Sequence, residues 1–161
     1  MPEIRIIIPG VPIAQHRPRF ARRGKYVQTY SDQKSEAGKF LLLAKPQIPK
    51  CAPQGTPVTL TCLFVFPIPK SATKKTLRGI CDMNYAHVKK PDVSNMLKFV
   101  EDCLNGTAWH DDSQVVCTQC SKAYTPSCAP HTEIVISWDE LIDHAAVPGA
   151  AVRPARLTGE G

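Results

Sequence analysis

Polar and apolar residues alternate with period two in several separate windows of this chain. Ile4, Ile6 and Ile8 share one side of a short run near the start, the period of a half-buried strand. The cleanest window is Val58–Phe66, where Val58, Leu60, Cys62, Phe64 and Phe66 fall on one face and Pro67 and Pro69 close the run. Residues 113–124 and 132–138 read as two more strands, and the intervening TPSCAP predicts a hairpin. Elsewhere the period is helical. Ala37, Phe40, Leu41 and Ala44 predict a helix from a Ser31 cap to about Lys45, stopped by Pro46. Ser71–Ile80 reads as a short basic helix. Over residues 92–105, Val93, Met96, Leu97, Val100 and Leu104 form one apolar stripe, with Asn95, Lys98 and Asp102 on the opposite side. Asn105-Gly106 supplies the left-handed stop.

These elements predict an α/β (α+β) fold: one domain over residues 1–144, with a mixed sheet of about four strands packed by two or three helices. Residues 9–26, rich in Pro, Gly and Arg, read as a basic loop. Residues 145–161, small and aperiodic, read as a disordered tail. The chain has 161 residues and is 43% hydrophobic, which excludes wholesale disorder. No window reaches the ~18 apolar residues of a membrane span. The N-terminus lacks the pattern of a secretory signal, so a cytoplasmic location is expected, with the seven cysteines as free thiols.

Charge is distributed unevenly. Residues 1–100 hold 17 Lys/Arg against five Asp/Glu, whereas residues 101–161 hold three against nine. A basic excess suggests a polyanionic partner, nucleic acid first. Acidic residues set within such a protein have one further use, which is to hold a divalent cation against phosphate.

The candidate chemistry lies in residues 89–115. Asp92 opens the strongest helix, and Asp111-Asp112 precede the next strand. Mg²⁺ takes hard oxygen ligands and keeps several waters, so one or two carboxylates plus a substrate phosphate suffice. Asp92, Asp111 and Asp112 are the candidate ligands, with Lys98 placed to neutralise charge developing on phosphate. The plainer alternative is that Asp92 only caps its helix and Asp111-Asp112 only form a turn. His110 is either a general base or a solvated loop residue, and Trp109 is expected to pack beneath the loop. Arg17, Arg19, Lys89 and Lys90 are candidate phosphate contacts.

These residues resemble a known family, the RusA-type Holliday junction resolvases of bacteria and their phages. The resemblance is carried by Lys90-Pro91-Asp92-Val93-Ser94-Asn95-Met96, then Lys98, Asp102, Asn105-Gly106 and Asp111-Asp112-Ser113-Gln114. Pro9-Gly10, Gln15-His16-Arg17-Pro18-Arg19, Lys122 and Tyr124 extend it. It implies a homodimeric endonuclease, dependent on Mg²⁺ with Mn²⁺ as a substitute, that makes paired incisions in branched double-stranded DNA. The chain departs from the pattern at Ser94, where the family carries a second acid. A hydroxyl there weakens metal binding, so the resemblance also admits a junction-binding protein of the same fold with little or no cleavage.

A third reading is zinc, from Cys117, Cys120, Cys128 and His131. In an extended strand, Cys117 and Cys120 face opposite sides and cannot converge on one ion.

Overall fold

Period-two alternation produces the expected strands in the computed structural model, which describes residues 2–16, 19–23, 26–30, 33–82, 86–125 and 129–139. β1 (Glu3–Pro9) buries Ile4, Ile6 and Ile8 and exposes the residues between them. β2 (Arg19–Arg23) and β3 (Tyr26–Tyr30) pair antiparallel, and only their backbone is described. The basic segment is therefore a two-stranded ribbon over 19–30 and not the loop expected from its Pro and Gly content. β2 fits between Pro18 and Gly24 in the sequence, and β3 begins just past Lys25.

α1 (Lys34–Ala44) begins after Gln33 and tightens into a 3₁₀ turn at Lys45–Gln47 that contains Pro46. The expected Ser31 cap lies outside the described residues. β4 (Val58–Pro67) buries Val58, Leu60, Cys62, Phe64 and Phe66 as the pattern requires. α2 (Lys74–Cys81) is capped by the Thr73 side chain, which accepts from Thr76 N–H. α3 (Val93–Leu104) buries Phe99 and Cys103 as well as Met96, Val100 and Leu104, so the core-facing stripe is wider than the sequence suggested. A 3₁₀ turn at Asp112–Gln114 leads into β5 (Val115–Thr125), and β6 (His131–Trp138) ends the described chain but for Asp139.

The four long strands form one mixed sheet in the order β1-β6-β4-β5. β6 runs antiparallel to both β1 and β4, while β5 runs parallel to β4. The hairpin expected between β5 and β6 is therefore not formed, because β4 lies between them. Strands are spaced ~4.8 Å apart, so stepping over one strand needs ~10 Å, well within reach of a five-residue link. A parallel pair requires a long crossover, and residues 68–114, with α2 and α3, make it.

α1 and α3 pack on one face of the sheet. Phe40 and Phe99 meet edge to face at 5.5 Å within a core that joins Ile6, Leu60, Phe64, Met96, Ile134 and Ile136. The opposite face carries the Arg5–Glu133 ion pair at 2.6 Å. Among the described residues of the crossover, the Lys, Arg and Asp side chains are exposed, while Glu101 is half-buried.

Candidate active site

Asp92 stands immediately before α3 with extended backbone angles, and its side chain makes no capping hydrogen bond. A carboxylate at this place ordinarily satisfies the free N–H groups of the first turn. Here the exposed side chain instead borders a depression of about 490 Å³ lined by Lys90, Pro91, Asp92 and Asn95. Lys89, Lys90 and Ser94 are exposed around it. The positive end of the α3 dipole adds to the lysines in making this mouth attractive to anions.

The outer face of α3 continues with Asn95, Lys98 and Asp102, all exposed. The chain that leads toward the basic ribbon is fastened here. Gln15 N–H donates to the Asn95 carbonyl at 2.8 Å, and Gln15 Nε2 donates to Asp102 Oδ2 at 2.9 Å. One residue on, His16 N–H donates to Gln33 Oε1. The ribbon is thus rooted beside the polar face of α3.

The loop after α3 owes its shape to Gln114, which is buried. Its Oε1 accepts from the N–H groups of His110 and Asp111, while Nε2 donates to the carbonyls of Pro53 and Thr56. Asp111 closes the reciprocal capping pair of this 3₁₀ turn by accepting from Ser113 N–H at 2.9 Å. The Ser113 hydroxyl and N–H together hold the Asp111 carboxyl below the usual carboxylate range. Asp112 accepts from Trp109 Nε1 at 3.2 Å, and the Trp109 ring is wholly buried under the loop as expected. His110 is exposed.

Glu101 was not singled out from the sequence. It is half-buried on α3, and burial first, then Asp112, then Asp102 push its carboxyl above the usual range, against the pull of Lys98. A carboxyl raised in this way is suited to carry a proton. No motif signals it, because its character comes from neighbours on another segment.

The charges of Asp112 and Lys98 thus both act on the Glu101 carboxyl. Asp92 lies nine residues earlier, with roughly 13 Å of helical rise between Asp92 and Glu101. Among the described residues, no three His, Cys, Asp or Glu side chains gather to hold one ion. Of the expected ligands, Asp111 is engaged by the Ser113 N–H of its own turn, and Asp92 stands at the start of α3. The oxygens that are present suit a water-rich Mg²⁺ bound by one or two carboxylates, and not an ion caged by protein. Arg17 and Cys128 lie outside the described residues, and Arg19 is described only as backbone of β2. Cys117 and Cys120 sit three apart on unbroken β5.

The family model for endodeoxyribonuclease RusA matches residues 9–137. The chain belongs to the RusA endodeoxyribonuclease family. An uncharacterized protein, YqaN of Bacillus subtilis (strain 168), is 33% identical over 141 residues, which cover 83% of this chain and 94% of that protein. The match spans from the end of β1 to β6, so both the basic ribbon and the Asp92–Gln114 crossover fall inside it.

Proposed function

We propose that this RusA-family protein is a Mg²⁺-dependent endonuclease that resolves four-way DNA junctions as a cytoplasmic homodimer. The observation that carries the reading is Asp92. Its carboxylate is released from helix capping and faces an open, lysine-flanked depression. In this reading Asp92 is the metal ligand at the lysine-flanked depression, and Asp112, with Asp111 supporting it through the turn they share, adds negative charge at the other end of α3. Mn²⁺ substitutes for Mg²⁺, since both accept oxygen ligands. When bound, the ion lowers the pKa of water and polarises a phosphoryl oxygen. The protein's own groups do the rest. Lys98 offsets negative charge growing on the phosphate. Lys89, Lys90, Arg17 and Arg19 hold the DNA backbone without reading its sequence. Two copies related by a two-fold axis present two sites to two symmetry-related strands.

A second reading is favoured by Ser94, which stands exposed on the first turn of α3 without the negative charge of the family's acid. In that reading the protein binds junctions and cuts them slowly or not at all. A synthetic four-way junction incubated with wild type and Asp92→Asn over a Mg²⁺ titration separates the two. We expect paired, Mg²⁺-dependent incisions by wild type and at least ~100-fold slower cleavage by Asp92→Asn, with junction affinity held within ~3-fold. Binding without incision at every Mg²⁺ concentration selects the second reading. Full cleavage by Asp92→Asn removes Asp92 from the site.

A further inference from the structure

Lys122 occupies a strand position that faces the core. In the parallel pairing of β4 with β5, Cys62 stands opposite Cys120, Phe64 opposite Lys122, and Phe66 opposite Tyr124. Directly paired residues point to the same side of a sheet, and Cys62, Phe64 and Phe66 are all buried on that side. An ammonium placed there needs acceptors to offset its lost hydration. Lys122 Nζ finds two of them, the carbonyls of Lys89 at 2.6 Å and Pro91 at 2.8 Å.

Both carbonyls belong to the three residues that precede Asp92. The same segment is held a second time, two residues earlier. The His87 ring lies 4.3 Å from that of Phe66 and 4.4 Å from that of Tyr124, which stacks on it. β4 and β5 thus grip residues 87–91 through one aromatic stack and one charged donor. An ammonium has three N–H donors, and Lys122 commits two to the main chain.

We propose that Lys122 is the positioning residue of the candidate site: it fixes the main chain of Lys89–Pro91 and thereby sets where the Asp92 carboxylate stands. Its catalytic consequence rests on the endonuclease reading, whereas its structural consequence does not. Charge-assisted bonds to two carbonyls are the strong kind, and a displacement of ~1 Å at a reacting centre can cost ~100-fold in rate. Lysine suits the task because one flexible stem brings a multiply donating head to both carbonyls.

The test uses full-length protein with Lys122→Met, which keeps the stem and removes the donors, and Lys122→Arg, which keeps charge and donors. Amide hydrogen exchange is read over residues 86–95. Exchange there should rise at least tenfold in Lys122→Met, with α1 and β6 unchanged, and stay near wild type in Lys122→Arg. Unaltered exchange in Lys122→Met overturns the proposal whatever happens to activity. On a four-way junction with Mg²⁺, kcat should fall ~10–100-fold in Lys122→Met, with KM within about twofold and most of the rate recovered in Lys122→Arg. A raised KM with a salt dependence weakened by about one unit would instead make Lys122 a phosphate contact, and would also overturn the proposal. Should Lys122→Met not fold, Lys122→Gln is read by the same criteria. A wild type that never cuts defeats the endonuclease reading alone, and exchange then decides the role of Lys122.

Discussion

A hydroxyl at position 94 brings an oxygen to the first turn of α3 without bringing charge. In the proposed metal site beside Asp92, that difference would govern how firmly a divalent ion is held, because each carboxylate contributes both a ligand and a neutralising charge. Ser94→Asp should therefore lower the Mg²⁺ concentration for half-maximal cleavage by about tenfold and raise the rate at limiting metal. Without metal the added charge repels phosphate and weakens junction binding. A metal titration of the variant that overlays wild type would show that position 94 does not face the ion. His87 carries a second expectation at this scale. Its ring is buried, and burial first lowers its pKa below 6.5, against the raising effect of its own backbone and that of Lys89, with the charges of Lys122 and Lys89 lowering it further. The folded state thus holds fewer protons than the unfolded chain. Stability from this group is complete above about pH 6.5 and is lost as pH falls through the folded-state value, at no more than ~1.4 kcal/mol per pH unit. Melting curves from pH 7.5 to 5 should show that acid-side decline, and His87→Phe should flatten it. A decline of equal steepness in His87→Phe would assign it to other groups.

At the scale of elements, Gln114 explains why the Asp111-Asp112 turn keeps its form. One buried amide satisfies two N–H groups of the turn and two carbonyls of residues 53–56. Truncation to Ala strands these groups, at ~1–3 kcal/mol for each that water cannot reach. Chemical denaturation of Gln114→Ala should accordingly show a loss of ~2–4 kcal/mol, and a loss under ~0.5 kcal/mol would mean that water replaces the amide freely. The role of Gln114 was hidden in the sequence, where it reads only as one letter of a motif. The strands β1 and β4 and the helix α3 were legible because each buries chiefly one face, Val65 of β4 apart, and one-sided burial imprints its period on the residues. The ribbon over 19–30 was not, since a two-stranded element leaves little apolar imprint and its Arg and Gly residues imitate a loop. The order β6-β4-β5 was hidden for another reason. Whether a short link joins neighbouring strands or steps over one is decided by the remaining strands, and no residue inside the link records it. Glu101 was missed on the same ground, because its raised pKa arises from burial first and then from Asp112 on a different segment.

On the scale of the whole molecule, the asymmetry of charge acquires a spatial meaning. The basic excess of the first hundred residues includes the ribbon, and the ribbon is rooted by Gln15 and His16 beside the acid-bearing face of α3. Cations of Arg17, Arg19, Lys89 and Lys90 would hold the DNA backbone while carboxylates beside them hold a metal against one phosphate. Without the cations, the acidic positions alone would repel the substrate. This division of labour separates two observables. Affinity should depend steeply on salt, because each phosphate contact releases condensed counterions, whereas the metal requirement should appear in cleavage and little in binding. Replacing Arg17 and Arg19 together should weaken binding to four-way and linear DNA alike, and should lower the slope of log affinity against log salt by up to ~2 units. Cleavage at saturating junction should stay within a few-fold of wild type, since neither arginine is asked to act on the reacting phosphate. If the double variant keeps the wild-type slope, the ribbon is ordinary solvated surface, and DNA is held by Lys89, Lys90 and the α3 face alone.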